Sequence, residues 1–132
     1  MTVVPPLTWL YVPADRPDRV EKAIASRAHA VIVDLEDGVS PAAKAEARAG
    51  LTGLLSERRR KPVYVRVNAG DAADLEAVAV LQISGIVVPK VARAEDVPAT
   101  PHPVNCLIES AAGLEAAYAI AFSTLSGRSA GT

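Results

Sequence analysis

Short apolar segments that end in charged residues are the feature of this chain that most constrains its fold. Four such segments occur, and stretches with helical spacing of apolar residues separate them. With the charged residues that end them, they occupy positions 30–37, 63–66, 86–90 and 106–109. β-Branched runs of this length predict parallel strands of successive βα units. Because the carboxyl ends of such strands face the ligand, we expect the charged residues to meet at one site.

The whole pattern predicts five βα units in sequence order and contains no hairpin signal. An additional strand, Thr8–Val12, comes first because it is rich in aromatic and β-branched residues. The predicted strands are 8–12, 30–34, 62–67, 85–89 and 104–108, and the helices begin near Asp15, Ser40, Asp71 or Asp74, Ala94 and Ala112. This alternation indicates an α/β fold with a parallel sheet. We expect residues 1–125 to form one domain and residues 126–132, which lack an apolar anchor, to form a disordered tail.

Length and composition limit the classes of function. The 132 residues can bury one core, but a closed (β/α)8 barrel has roughly 250 residues. A net charge of −1 and an aromatic content of 4% argue against a nucleic-acid partner. No apolar stretch has the ~20 residues of a membrane helix, and Met1–Leu10 lacks the basic start of a signal peptide. We therefore expect a cytoplasmic protein without membrane association.

Asp34, Glu36 and Asp37 form the densest acidic cluster of the chain. If the strand continues, Asp34 and Glu36 point to one face and Asp37 to the other. These carboxylates either cap the next helix or take part in a site. Three carboxylates at the end of an apolar strand repel one another unless a cation is near. The sequence therefore predicts a cationic partner, which is Arg66, Lys90 or a metal.

Three further charged residues at strand ends are candidates for binding. Arg66 lies between apolar strand residues, where burial is costly unless it is paired. It is expected to pair with Glu36 or Asp37, to bind a substrate carboxylate or phosphate, or to do both. Glu109 precedes small residues and could bind Mg²⁺, which accepts one or two protein carboxylates. Lys90 either pairs with an acid or neutralises a developing enolate on the substrate.

Several motifs, taken together and in order, resemble the citrate lyase β-subunit family, within the wider group of HpcH/HpaI aldolases and malyl-CoA lyases. The matching segments are Leu-Tyr-Val-Pro-Ala-Asp-Arg-Pro at 10–17, Val-Asp-Leu-Glu-Asp-Gly-Val at 33–39 with Lys44 and Arg48, Val-Arg-Val-Asn at 65–68, Asp-Leu at 74–75, Val-Pro-Lys-Val at 88–91 and Leu-Ile-Glu-Ser-Ala-Ala-Gly at 107–113. The resemblance extends from about residue 7 to residue 122. The motifs at 33–39 and 65–68 are specific in combination.

The resemblance implies a TIM barrel and a Mg²⁺-dependent carbon–carbon lyase. Such enzymes cleave or form the bond between an oxo acid and the acyl unit of an acyl-CoA or acyl-carrier thioester. By this resemblance Glu36 and Asp37 are the acidic pair of the site, and Arg66 is a catalytic and substrate-binding residue. Glu109 matches the metal-binding glutamate and would contact substrate with Lys90. The resemblance also implies a homo-oligomer or a partner chain.

The chain departs from the family pattern in two places. Pro13-Ala14-Asp15 stands before Arg16-Pro17 where the family has Pro-Gly. The chain also lacks a counterpart of the family's second metal carboxylate, which follows strand six, and of strands six to eight. We therefore expect a partial (β/α)8 barrel that does not turn over substrate alone. Two alternatives are a flavodoxin-like binding module of five strands and a non-catalytic half-barrel that pairs its open edges with another chain.

Overall fold

The computed structural model describes residues 4–126, in which helices alternate with strands. The strands are β1 (Trp9–Pro13), β2 (Ala30–Asp34), β3 (Val63–Arg66), β4 (Gly85–Val88) and β5 (Val104–Cys106). The helices are α1 (Pro17–Ala25), α2 (Lys44–Leu55), α3 (Ala72–Ala79), α4 (Ala111–Glu115) and α5 (Ala117–Ser126), and 3₁₀ turns occupy Pro41–Ala43 and Ala94–Asp96. Within this part of the chain, no helix has the length and apolar character needed to cross a bilayer. Residues 127–132 of the predicted tail lie outside the described residues.

The five strands form one parallel sheet in the order β1-β2-β3-β4-β5. Sequence order is the arrangement of an arc of a (β/α) barrel. A flavodoxin-like sheet would instead place β1 between β2 and β3. The predicted α/β fold with a partial barrel is therefore confirmed, and the flavodoxin-like alternative is wrong.

One face of the sheet holds the apolar core. The register aligns Val12, Val33, Val65 and Ile86 across four strands. These side chains are buried in one cluster with apolar residues of the covering helices. The helix residues in this cluster include Val20, Ala23, Ala47, Leu51, Leu55 and Val78. Burial of this face accounts for the β-branched composition of the strands, because residues on alternate positions must pack against helices.

The opposite face carries aromatic and charged side chains. The rings of Trp9 and Tyr64 lie 4.7 Å apart, between centroids. The next row towards the carboxyl ends places Asp34 of β2 beside Arg66 of β3. The guanidinium of Arg66 lies over the ring of Tyr11, 4.7 Å from its centroid. The ion pair of Asp34 and Arg66 thus lies at the carboxyl edge of this face.

The helix starts follow the sequence signals only in part. Asp71 caps α3 as predicted, because its side chain accepts a hydrogen bond from the backbone N–H of Asp74. The helix expected to begin near Asp15 begins at Pro17, and Arg16 before it makes no side-chain cap. The helix expected to begin near Ala112 is divided into α4 and α5, because the backbone of Ala116 leaves the helical conformation.

Alanine substitution at Gly113 tests how closely this residue is packed, and the same substitution at Gly50 is the control. A Cβ added at Gly113 would lie 2.5 Å from the carbonyl oxygen of Val91. We expect Gly113→Ala to lower the free energy of unfolding by about 1–3 kcal/mol, because backbone must move. Gly50 lies inside α2 with nothing within 4 Å of such a Cβ, so Gly50→Ala should stabilise by about 0.4–1 kcal/mol. Urea denaturation measures both; equal stability of the Gly113 variant and the wild type would contradict the close approach.

Candidate active site

Arg66 and Asp34 form the buried ion pair at the centre of the site. Nε of Arg66 donates to Oδ1 of Asp34 at 2.7 Å, and Nη2 donates to Oδ2 at 2.7 Å. The two side chains are 13% and 5% exposed. The expected pairing of Arg66 with Glu36 is present at 3.5 Å, but its main partner is Asp34, which the sequence did not single out. The cause is the strand register, which places Asp34 directly beside Arg66.

The pair is held in its charged form. Burial by itself would raise the pKa of the Asp34 carboxyl, but hydrogen bonds from Arg66 and from the backbone N–H groups of Glu36 and Gly38 hold that pKa below its ordinary value. These N–H groups lie 2.9 and 2.8 Å from the Asp34 oxygens. The hydrogen bonds with Asp34 likewise raise the pKa of Arg66 despite burial. Asp34 thus fixes both the arginine and the turn that follows β2.

Glu36 joins this pair to a second cation. Its Oε1 lies 3.5 Å from Nη1 of Arg66, and its Oε2 lies 3.2 Å from Nζ of Lys90. Glu36 is buried, whereas the Lys90 side chain is 67% exposed. The predicted need for cationic partners at the acidic cluster is confirmed by these contacts. One guanidinium and one ammonium reach the carboxylates that follow β2.

Lys90 also contacts Glu109 through its backbone. Its N–H donates to Oε2 of Glu109 at 2.8 Å. Lys90 has φ of 58°, a left-handed conformation that costs a non-glycine residue about 1 kcal/mol. This backbone turn lets the main chain face Glu109 while the side chain reaches Glu36. Lys90 thereby links the ends of β2, β4 and β5.

The described residues offer part of a magnesium site. Glu109 is exposed, and its Oε2 accepts the Lys90 N–H. Carboxylate oxygens suit Mg²⁺, which binds through one or two protein carboxylates together with water and substrate. Within residues 4–126, no group of three or more His, Cys, Asp or Glu side chains could hold a metal ion. Glu109 therefore fits as one ligand of such a site.

Asp37 is the one predicted site residue that the structure does not connect to the others. Its side chain is exposed, and it makes no hydrogen bond or ion pair with the described residues. Glu36, Arg66, Lys90 and Glu109, in contrast, form a continuous chain of contacts. The predicted meeting of charged strand ends is thus observed for these four residues.

A lysine that sequence reasoning did not assign to the site lies beneath it. Nζ of Lys44 donates to the carbonyl oxygens of Leu35 and Glu36, at 3.0 and 2.7 Å. It also donates to Oδ1 of Asn68 at 2.6 Å. The signal in the sequence was the position of Lys44 at the start of α2, from which a long side chain can return to the preceding strand end.

Asp74 anchors the same region from α3. It is buried and accepts hydrogen bonds from the backbone N–H and the side-chain amide of Asn68, at 2.8 and 2.7 Å. Nε of Arg48 donates to its other oxygen at 2.8 Å. Lys44 and Arg48 are four residues apart on α2, so both face the strand ends. A partly buried polar layer, with Asp74 at its buried centre, therefore supports the carboxyl ends of β2 and β3.

A cavity of about 320 Å³ lies beside Lys90, whereas Glu36, Arg66 and Glu109 do not line it. Asn68 and Lys90 line one part of it, and the segment from Glu95 to Pro98 lines another. Asn68 also belongs to the polar layer and Lys90 to the ion pairs, so both features reach the edge of this space.

Comparison with known proteins places this geometry in a family. The family described as HpcH/HpaI aldolase/citrate lyase matches residues 7–128. A citrate lyase subunit beta-like protein of Mycobacterium tuberculosis is 42% identical over 118 residues, which are 86% of this chain and 42% of that protein. A (3S)-malyl-CoA thioesterase of Cereibacter sphaeroides is 38% identical over 135 residues, 93% of this chain and 47% of that protein.

A solved structure has a similar fold. It is the citrate lyase beta subunit of Mycobacterium tuberculosis complexed with oxaloacetate and magnesium, with a TM-score of 0.77 and 42% identity. The match covers 87% of this chain and 52% of that one. This chain thus spans about half the length of the relatives that it matches. On the family match and these identities, the chain belongs to the HpcH/HpaI aldolase/citrate lyase family.

Proposed function

We propose that this chain supplies one side of the active site of a Mg²⁺-dependent carbon–carbon lyase. Its reaction is the cleavage or condensation of an oxo acid with an acyl-CoA or acyl-carrier thioester. The observation that carries the proposal is the continuous line of contacts from Asp34 through Arg66, Glu36 and Lys90 to Glu109 at the carboxyl ends of the strands. Membership of an aldolase and lyase family supports it.

The charge of this line of residues favours a divalent cation. Three carboxylates face two cationic side chains, which leaves one excess negative charge. An oxo acid is itself an anion and would be repelled by that excess. Mg²⁺ at Glu109 would reverse the sign and, when bound, polarise the oxygen on which negative charge develops. The relative complexed with oxaloacetate and magnesium supports this ligand pair.

The proposed roles follow from which donors are already used. Asp34 takes Nε and one Nη2 hydrogen of Arg66, so a substrate carboxylate would bind at the Nη1 edge, which it would share with Glu36 at 3.5 Å. The exposed Lys90 ammonium is placed to neutralise an enolate. In cleavage the carbon–carbon bond breaks, the hydroxyl loses its proton to become an oxo group, and the acyl enolate takes up a proton. We assign Glu36 and Asp37 as the catalytic carboxylates, with the exposed Asp37 able to exchange a proton with the substrate.

We propose that turnover requires strands in addition to the five described. β1 and β5 are the edge strands of the described sheet, and exposed edges are sites of pairing. A second copy or a partner chain would cover them and supply further metal ligands. A non-catalytic half-barrel that pairs in the same way remains the alternative. The malyl-CoA thioesterase relative favours one more reaction, hydrolysis of the thioester.

Magnesium-dependent binding of oxaloacetate tests the proposal. We expect calorimetry to detect binding that requires Mg²⁺ and that Glu109→Gln abolishes, because the amide loses the charge that holds the cation. Glu115→Gln, at an exposed position of α4, is the matched control and should bind like the wild type. Equal binding by the Glu109 variant would remove Glu109 as a ligand. If malyl-CoA is the substrate and free CoA is released while no oxo acid forms, the result would favour the thioesterase reaction.

A further inference from the structure

Lys44 has used all of its hydrogen-bonding capacity inside the protein. An ammonium carries three donor hydrogens and no acceptor. The structure gives it three acceptors, which are two backbone carbonyls and the side-chain oxygen of Asn68. Lys44 is also partly buried, whereas Lys90 is exposed. Lys44 therefore has no donor left for a substrate, and its effect on the site must pass through the groups that it holds.

The groups that Lys44 holds belong to the turn after β2. Its partners are the carbonyls of Leu35 and Glu36. The N–H groups of the same turn, at Glu36 and Gly38, are bound by Asp34. Acceptors and donors of this turn are thus fixed from two sides. The main chain of Glu36 is held by both, which limits where its carboxylate can lie.

The support is continuous with the neighbouring strand. Asn68 accepts from Lys44 and donates to the carbonyl of Leu35 at 2.9 Å. Asp74 in turn fixes Asn68 through two hydrogen bonds. The position of the ammonium is therefore set by β3 and α3 as well as by α2. A movement of the turn after β2 would break several of these hydrogen bonds together.

We propose that Lys44 is a positioning residue, which fixes the turn after β2 so that the Glu36 carboxylate stays between Arg66 and Lys90. A catalytic role for the Glu36 carboxylate rests on the proposed function, but its position between the two cations does not. Without the ammonium, the carbonyls of Leu35 and Glu36 lose a charged donor, and the turn opens more often. Glu36 would then separate from its two cations, while the rest of the sheet keeps its core.

Amide hydrogen exchange of a Lys44→Met variant tests this inference. Because the carbonyls of this turn lose a charged donor, we expect exchange at the Glu36 and Gly38 amides to rise by about 10–100-fold. The amide of Val65 in β3 should keep its wild-type rate. Lys22→Met, at an exposed position of α1, is the control and should change none of these rates.

Two outcomes would overturn the inference. One is an equal rise at Val65, which would show a general loss of stability; the other is no change at Glu36 and Gly38. If Lys44→Met does not fold, Lys44→Arg is measured at the same amides and should give a smaller rise confined to them. Oxaloacetate binding by the wild-type chain is measured separately. Its absence would count against the proposed function, whereas the exchange rates would still decide the role of Lys44.

Discussion

Replacing Arg66 with methionine is expected to lower the free energy of unfolding by about 3–5 kcal/mol, since it leaves the buried Asp34 carboxylate without its cation. The matched control is Arg59→Met. Arg59 also binds a carboxylate through two nitrogens, that of Glu21, but the two side chains are 28% and 52% exposed. An exposed pair of this kind contributes at most about 1 kcal/mol. Urea denaturation near neutral pH measures both variants.

The pH dependence gives the Arg66 prediction a second readout. Because the folded state lowers the pKa of Asp34, its contribution is complete above the unfolded value of about 3.8 and is lost as pH falls through the folded pKa. In Arg66→Met the unpaired carboxyl takes up a proton more readily. The stability difference between wild type and variant should therefore shrink on acidification below about pH 4. Equal losses for the Arg66 and Arg59 variants would contradict the importance of burial.

Asp74→Ala is expected to cost a similar amount, about 3–5 kcal/mol, although Asp74 is not a predicted catalytic residue. The substitution removes the acceptor of two Asn68 donors and leaves Arg48 without its short contact. Asp96→Ala is the control. Asp96 likewise accepts three hydrogen bonds, two from backbone N–H groups and one from an arginine, but it is 33% exposed against 1% for Asp74. Water can replace its partners, so we expect a much smaller loss of stability.

Asp74 and Asp96 accept the same number of hydrogen bonds but differ in burial, so comparing their alanine variants isolates the effect of burial on stability. Thermal unfolding of both variants, followed by circular dichroism, should show a much larger decrease of the midpoint for Asp74→Ala. A comparable decrease for Asp96→Ala would mean that the buried layer beneath β2 and β3 is hydrated. In that case the rigidity attributed to Asn68 and Lys44 would have no basis.

The strands were predictable because their signals are local. The apolar run 30–34 coincides with β2. The order of the strands in the sheet was not predictable in the same way, because a flavodoxin-like order stayed open until the structure gave β1-β2-β3-β4-β5. The charged residues that end these runs also mark the carboxyl edge, so Glu36, Arg66, Lys90 and Glu109 could be expected to meet there. Each of these inferences needs only the neighbours of a residue in the chain and the rule that parallel strands share one direction.

The pairings within the site were less accessible to sequence reasoning. That Arg66 binds Asp34 rather than Asp37 depends on the register between β2 and β3, which alternation does not fix. The role of Lys44 depends on a side chain that returns from α2 to backbone carbonyls, and carbonyls leave no trace in a sequence. The helix break at Ala116 occurs at an alanine, not at a glycine or proline, so the residue type does not predict it. Long-range geometry, rather than residue type, decides all three.

Lys90, which has a left-handed backbone conformation, makes one contact through its main chain and another through its side chain. Glu109 is bound by a peptide N–H, which every residue except proline supplies, whereas Glu36 is bound by an ammonium that only lysine provides. Substitution at position 90 can therefore change the partner of one acid while the other keeps its hydrogen bond. Glycine would do so without conformational cost at this φ. A substitution of Lys90 can thus remove the contact with Glu36 and leave the contact with Glu109, although both contacts come from one residue.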